Sequence, residues 1–200
     1  FYTYPASTTA NSSYSRTELR EQMEPGSNGV NWTFPQGGTL KGRLKMDEVS
    51  KDDEGKYHRV IVMQIHGRLT NEQRDQIGED DNNAPPVLKI YWNKERIRVH
   101  RKVLKDSLVN DHDILFTNAW EDEAFWFDEV VGFDEFELEV IASDNKLEVV
   151  LNNNERMTFS DIHTDRWQVF ENYFKAGNYL NTTDAGAFSR VKYYALEVSH

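Results

Sequence analysis

The chain of 200 residues carries 34 acidic against 23 basic side chains, a formal net charge of -11 that disfavours a general surface for nucleic acid or anionic membrane. Hydrophobic residues at 38% and aromatics at 12% are enough for a packed core and argue against global disorder, and the length suits one domain over residues 1–200. Cysteine is absent, which removes disulfides, thiolate metal sites and a cysteine nucleophile. No apolar run approaches the length that spans a bilayer, and the start at Phe1 reads as that of a processed or trimmed soluble chain.

Taken from the amino terminus, alternation of apolar and polar residues predicts strands over 14–23, 39–46, 57–69, 87–91, 96–103, 133–142, 146–151, 167–176 and 190–198. Turn-forming stretches separate them, among them Pro25-Gly26-Ser27-Asn28-Gly29, Gln36-Gly37-Gly38, Ser143-Asp144-Asn145 and Asn152-Asn153-Asn154. Residues 70–86 and 118–132 lack the pattern and are expected to be long acidic loops, and a helical turn is expected near 159–164. Many short strands at this spacing predict an all-β sandwich or jelly roll. The acidic runs Asp52-Asp53-Glu54 and Glu79-Asp80-Asp81 lack the ligand spacing of a calcium loop, so solvated loops are expected and no metal site. Asn11-Ser12-Ser13, Asn31-Trp32-Thr33 and Asn181-Thr182-Thr183 match the glycosylation sequon, a tripeptide that also arises by chance.

Three segments concentrate residues fit for chemistry. In Arg16-Thr17-Glu18-Leu19-Arg20 an extended chain turns Arg16, Glu18 and Arg20 to one side and Leu19 to the core. Alone this is a surface charge ladder of little energetic weight; with Glu18 fixing one or both arginines it becomes a fork for a substrate carboxylate. In the run 60–69, Ile61, Met63, Ile65 and Leu69 are expected to face the core, and Gln64, His66 and Arg68 the opposite side. A lone histidine on a strand is more often structural than catalytic, but here an amide and a guanidinium share its face. In Tyr173-Phe174-Lys175-Ala176-Gly177-Asn178-Tyr179 the expected surface set is Tyr173, Lys175, Gly177 and Tyr179, with Gly177-Asn178 able to bend the strand out of register.

These segments, in this order, resemble the motifs of the alginate lyases of polysaccharide lyase family 7. The pattern R-[TS]-E-[LV]-R is matched by residues 16–20, Q-[IV]-H by 64–66 and Y-F-K-A-G-x-Y by 173–179, and residues 188–200 are similar to the family's last strand. The likeness covers essentially the whole chain, with one departure: family domains usually carry a further segment, including an early strand, ahead of the stretch matching Phe1. The resemblance implies a jelly-roll β-sandwich of two antiparallel sheets with a concave substrate groove. The implied function is cleavage of the 1,4 bonds of alginate by β-elimination, with no cofactor.

Carried over residue by residue, the resemblance implies Arg16, Gln64 and His66 as neutralisers of the substrate carboxylate and Tyr179 as proton donor to the departing oxygen. Tyr179 would also be the base on mannuronate, activated by Lys175 or Arg20. His66 would be the base on guluronate, as its ordinary titration range is nearest neutrality. Glu18, Arg20, Arg68, Tyr173 and Lys175 are expected to bind substrate. In the family the middle residue of Q-[IV]-H tracks substrate choice, and Ile65 implies guluronate-containing blocks; endolytic action is expected but is not read from Ile65. A secreted bacterial monomer acting on an acidic polysaccharide, and on neither nucleic acid nor membrane, is the implied setting. The rival from another class is a non-catalytic carbohydrate-binding module, for which five tryptophans and nine tyrosines are a supply of stacking surfaces. A glycoside hydrolase would need two flanking carboxylates. The E-x-D-x-x-E signature of laminarinase-like enzymes is missing, since Glu135, Glu137 and Glu139 alternate without the aspartate.

Overall fold

The computed structural model describes residues 1–8 and 12–200, so the sequon at Asn11 lies partly outside the described residues. In chain order the strands are β1 (Tyr2–Thr3), β2 (Arg16–Arg20), β3 (Gly38–Val49), β4 (Val60–Arg68), β5 (Asn83–Asn93) and β6 (Arg96–Leu104). They continue with β7 (Trp120–Val130), β8 (Phe136–Ser143), β9 (Lys146–Leu151), β10 (Glu155–Phe159), β11 (Glu171–Leu180) and β12 (Ser189–Ser199). Two short helices interrupt the series, α1 (Asn71–Ile77) and α2 (Ile162–Trp167).

The strands form two six-stranded antiparallel sheets, in the orders β1-β12-β3-β8-β9-β10 and β2-β11-β4-β5-β6-β7. The chain is an all-β sandwich, as the strand pattern predicts. Alternation puts Leu40, Leu44, Leu138, Val140 and Val149 of the first sheet against Met63, Ile65, Leu88, Ile90, Val99 and Phe174 of the second, all at most 1% exposed. Asn152 and Asn153, residues that tolerate positive φ, adopt it between β9 and β10, whereas Lys94 and Glu95 adopt it between β5 and β6 without that tolerance, the turn there being imposed by the strand pairing.

Both expected loops contain structure. Residues 70–86 hold α1 and the start of β5. Thr70 accepts from the Gln73 backbone N–H while the Gln73 side chain accepts from the Thr70 N–H, a capping box written in the sequence as Thr-x-x-Gln. Residues 118–132 contain β7, an edge strand in which Glu121, Glu123 and Asp128 give the charged surface that keeps an open edge from pairing with other chains. The helical turn expected near 159–164 is α2, shifted towards Trp167.

Two expectations about facing are overturned. Leu19 is 54% exposed, because β2 is the outermost strand of its sheet and the space beneath it is a shallow recess beside Phe174, Leu196 and Val198 rather than filled core. Ile61 lies with Gln64 and His66 on the cleft side, while Val60 and Val62 join the core. The cause is a register irregularity between Ile61 and Met63, matched by a bulge in β11 between Ala176 and Tyr179.

That bulge is centred on Gly177, whose φ is +153° and whose position leaves no room for a side chain. A Cβ there would stand 2.4 Å from the Thr17 carbonyl oxygen and 2.7 Å from the Glu18 Cα, both backbone atoms of β2. Gly177→Ala is expected to destabilise the protein by about 1–3 kcal/mol, the usual cost of overpacking against atoms that cannot yield, as read from the urea midpoint.

Candidate active site

Strand register assembles the site. Tyr179 pairs with Arg16 and Lys175 with Arg20 across β11 and β2, while Tyr173 pairs with His66 and Lys175 with Gln64 across β11 and β4. Three segments far apart in sequence therefore present their polar faces on three adjacent strands, about 5 Å apart. Arg16, Gln64, His66 and Tyr179 line one cleft of about 440 Å³, together with Tyr14, Arg59, Lys89, Tyr91, His100 and Asp122. Arg20, Arg68 and Tyr173 line an adjoining cleft of about 410 Å³.

Glu18 and Lys175 lie beneath these residues. The Glu18 carboxylate, 2% exposed, accepts the Gln64 amide at 2.5 Å, pairs with the Lys175 ammonium and stands 3.8 Å from Arg16 Nε. Burial pulls Lys175 below its ordinary pKa against the opposing attraction of Glu18. One Gln64 amide N–H is thus committed to Glu18 and the other is left for a ligand. Arg20 does not share in this. Its guanidinium lies 3.9 Å from the Tyr173 ring centroid and donates to the Glu21 carbonyl and to Asn31 Oδ1, so Glu18 organises Arg16, Gln64 and Lys175 rather than a pair of arginines. Arg68 is engaged by Glu171 at 2.5 Å.

His66 stacks on Tyr173 with centroids 5.1 Å apart, and its Nδ1 lies 2.9 Å from the Gly67 carbonyl. The carbonyl only accepts, so Nδ1 carries the proton and Nε2 the free lone pair. Burial, reinforced by the positive charges of Lys175, Arg16 and Arg20, lowers the imidazole pKa to about 4, so it is neutral at pH 7. The Tyr179 hydroxyl lies 3.1 Å from Ser12 Oγ, and Ser12 donates to the Tyr14 carbonyl at 2.6 Å, which makes Tyr179 the donor to Ser12. Arg16 covers the Tyr179 ring at 5.5 Å.

The sequence reading missed the opposite wall. Lys89 and Tyr91 on β5, His100 on β6 and Asp122 on β7 line the cleft, and Asp122 accepts from Lys89 at 2.6 Å and pairs with Lys102 at 2.9 Å. Their signal was present in alternation, since Lys89 and Tyr91 share a strand face, but Asp122 sat in a segment expected to be a loop. Among the described residues, no group of three or more His, Asp or Glu side chains is placed to hold a metal ion.

Two expectations follow from this geometry. Glu18→Ala leaves the nearly buried Lys175 ammonium without its partner and should cost on the order of 3 kcal/mol in chemical denaturation, with Glu18→Ala/Lys175→Met costing less than the sum of the single changes. For His66, the unfolded chain binds its proton near pH 6.5 and the folded one only near pH 4, so folding is opposed by protonation. Its contribution is fully present above pH 6.5 and is lost as pH falls towards 4. Stability measured across that window should fall less steeply in His66→Asn than in the parent.

Comparison with known proteins agrees with the motifs. A profile of the alginate lyase family matches residues 1–200. Among solved structures, a variant of family 7 alginate lyase A1-II' in complex with product (GGG) superposes with a TM-score of 0.75 at 28% identity, over 96% of this chain and 75% of that one. A second A1-II' variant, in complex with substrate (GGMG), gives 0.74 at 28% identity, over 96% and 73% of the two chains. Alginate lyase PA1167 from Pseudomonas aeruginosa shares the fold, with a TM-score of 0.68 at 22% identity, over 96% of this chain and 77% of that one. No curated protein sequence matches significantly. The chain belongs to the alginate lyases of polysaccharide lyase family 7, and is a polysaccharide lyase of jelly-roll fold.

Proposed function

We propose that this lyase cleaves alginate endolytically at guluronate-containing blocks, with Arg16, Gln64, His66 and Tyr179 as its catalytic set. The observation that carries the reading is that these four side chains, from three strands, meet in one cleft around a surplus of positive charge. The chemistry requires such a surplus. The C5 proton of a uronate lies next to a carboxylate, and its removal builds a second negative charge beside the first. Arg16, Lys175 and Arg20 against the single carboxylate of Glu18 supply the balance, and Gln64 supplies a directed amide N–H.

In guluronate the C5 proton and the leaving oxygen lie on opposite faces of the ring, so acid and base must be different groups. His66 Nε2 takes the C5 proton, the C4–O bond breaks as the C4–C5 double bond forms, and the Tyr179 hydroxyl gives its proton to the departing oxygen. A neutral imidazole is the required starting state. The incoming carboxylate adds negative charge beside His66 and offsets the cations that depress its pKa, which strengthens the base when substrate is bound. In mannuronate the two atoms lie on one face, and Tyr179 serves both roles only as a phenolate, which takes the C5 proton and then passes it to the departing oxygen as the C4–O bond breaks. Arg20, Arg68 and Tyr173 in the adjoining cleft bind the flanking sugars, whereas Lys175 and Glu18, expected as substrate ligands, lie buried beneath the cleft and act by positioning Arg16 and Gln64.

The guluronate preference is supported by Ile65, which is fully buried beneath Gln64 and His66 and acts through their placement, and by the guluronate-containing oligosaccharides bound to the related A1-II' structures. A cleft open along the sheet suits internal cleavage of a polymer. The rival reading as a binding module loses its main support: Trp32, Trp92, Trp120 and Trp167 are at most 3% exposed, and Trp126 alone, at 37%, faces solvent. Glu137 and Glu139, the acids considered for a hydrolase, lie on β8 of the opposite sheet. Among the described residues no helix is long and apolar enough to cross a membrane; secretion as a monomer would suit a substrate polymer found outside the cell.

The decisive assay is incubation with separated polyguluronate, polymannuronate and mixed blocks while following absorbance near 235 nm, roughly where the unsaturated product absorbs. The guluronate-containing blocks should react fastest and yield a ladder of oligomers early. Tyr179→Phe and His66→Ala should each lower kcat on polyguluronate by about a hundredfold or more while the fold, checked by circular dichroism, stays intact. Full turnover by folded Tyr179→Phe would remove it as the proton donor.

A further inference from the structure

The wall of the cleft across from Arg16 and Tyr179 is also built from charge. Lys89 stands opposite Gln64 on one side and His100 on the other, and Tyr91 stands opposite Ile61 and Arg98. A continuous row across the sheet therefore runs Arg20, Lys175, Gln64, Lys89, His100. Asp122 reaches Lys89 and Lys102 and lies 3.7 Å from His100 Nδ1, so two ammonium groups share one carboxylate. Lys102 is the direct cross-strand partner of Asp122, whereas Lys89 reaches it from two strands away. Asp122 thus fixes the Lys89 head within the cleft, and only one of its three N–H donors is spent.

Arg59 completes the arrangement. It immediately precedes β4, lines the same cleft, and its guanidinium carbon lies 5.7 Å from the Tyr91 ring centroid. Its main chain is anchored by the Asn181 N–H at 3.1 Å, yet its exposed guanidinium makes no ion pair and no hydrogen bond among the described residues. Arg68 is engaged by Glu171, Lys175 by Glu18 and Arg20 by Glu21 and Asn31, so Arg59 differs from these three site cations in having its whole planar fork available.

We propose that Arg59 and Lys89 form a second carboxylate-binding subsite, for a uronate beyond the two joined by the bond being cleaved. This rests on the reading of the cleft as the alginate site and adds to it a residue contributed by the connection before β4. Arg59 supplies a bidentate partner for the carboxylate, beside the nearly buried ring of Tyr91 that itself packs on His100 at 4.7 Å. Asp122 is a positioning residue, acting through Lys89.

The test uses guluronate oligomers of increasing length. For the longest, Arg59→Ala should raise KM about tenfold, equivalent to about 1.4 kcal/mol, while kcat stays within about twofold. The shortest oligomer that is cleaved should show no change, Arg59→Lys should recover part of the loss, and high salt should narrow the gap between parent and variant. KM values equal at every length, or a kcat loss equal at every length, would overturn the subsite. A parent protein that forms no product absorbing near 235 nm, roughly as above, would instead overturn the lyase reading. In that event, calorimetric titration of parent and Arg59→Ala with the same oligomers decides the subsite: weaker binding by the variant supports it, and equal binding rejects it.

Discussion

A single buried carboxylate organises the candidate active site of this protein. Glu18 is 2% exposed on an edge strand, a position that would be costly if it were not compensated by the Lys175 ammonium, the Gln64 amide and the approach of Arg16. Each contact fixes a group from a different strand, so Glu18 couples β2, β11 and β4 as much as it balances charge. The arrangement depends in turn on Gly177, because only a residue without a side chain lets β11 bulge while its backbone stays against Thr17 and Glu18. The bulge resets the register along β4, and that reset turns Tyr179 and Ile61 into the cleft.

The electrostatics of the cleft oppose those of the whole molecule. A chain of net charge -11 concentrates Arg16, Arg20, Arg59, Lys89, Lys102 and Lys175 around one stretch of sheet, against Glu18 and Asp122. A polyanion meets repulsion over most of the surface and attraction along one path, which favours productive encounter over adsorption elsewhere. Burial first, and then Lys175, Arg16 and Arg20 among these cations, keep His66 neutral, so part of the field that draws in the substrate also keeps the proposed base ready to accept a proton. The carboxylates divide by function: Glu18 and Asp122 position cations, while the acidic sides of β7 and the loops protect an edge and keep the protein soluble.

Strand alternation was legible because a half-buried strand writes its two faces into every second residue, and nine of the twelve strands were found this way. The three missed were β1, β7 and β10. β1 has two residues, and β7 and β10 are edge strands with mostly solvated side chains, so no buried stripe marks them. α1 carried its capping box in plain view, but with no buried residue it lacked the apolar periodicity that identifies a helix. Leu19 and Ile61 were misplaced for a related reason. Alternation assumes that a strand has core beneath it and an unbroken register, and β2 lacks the first while β4 lacks the second.

The sequence by itself determined the class of fold, the family and the three segments bearing Arg16, Gln64, His66 and Tyr179, because periodicity and ordered motifs are properties of the chain. Tertiary structure alone decided which of these groups touch. Glu18 releases Arg20 to Tyr173 and takes Lys175 and Gln64, and Tyr179 finds Ser12 as its partner. It also decided that Arg59, Lys89 and Asp122 belong to the same cleft, since neither the connection before β4 nor β5 and β7 carry a motif that names them. The physical reason is that contacts across a sheet depend on register and bulges, which are set by close approaches such as Gly177 against β2 and are not written in the spacing of residues along any one strand.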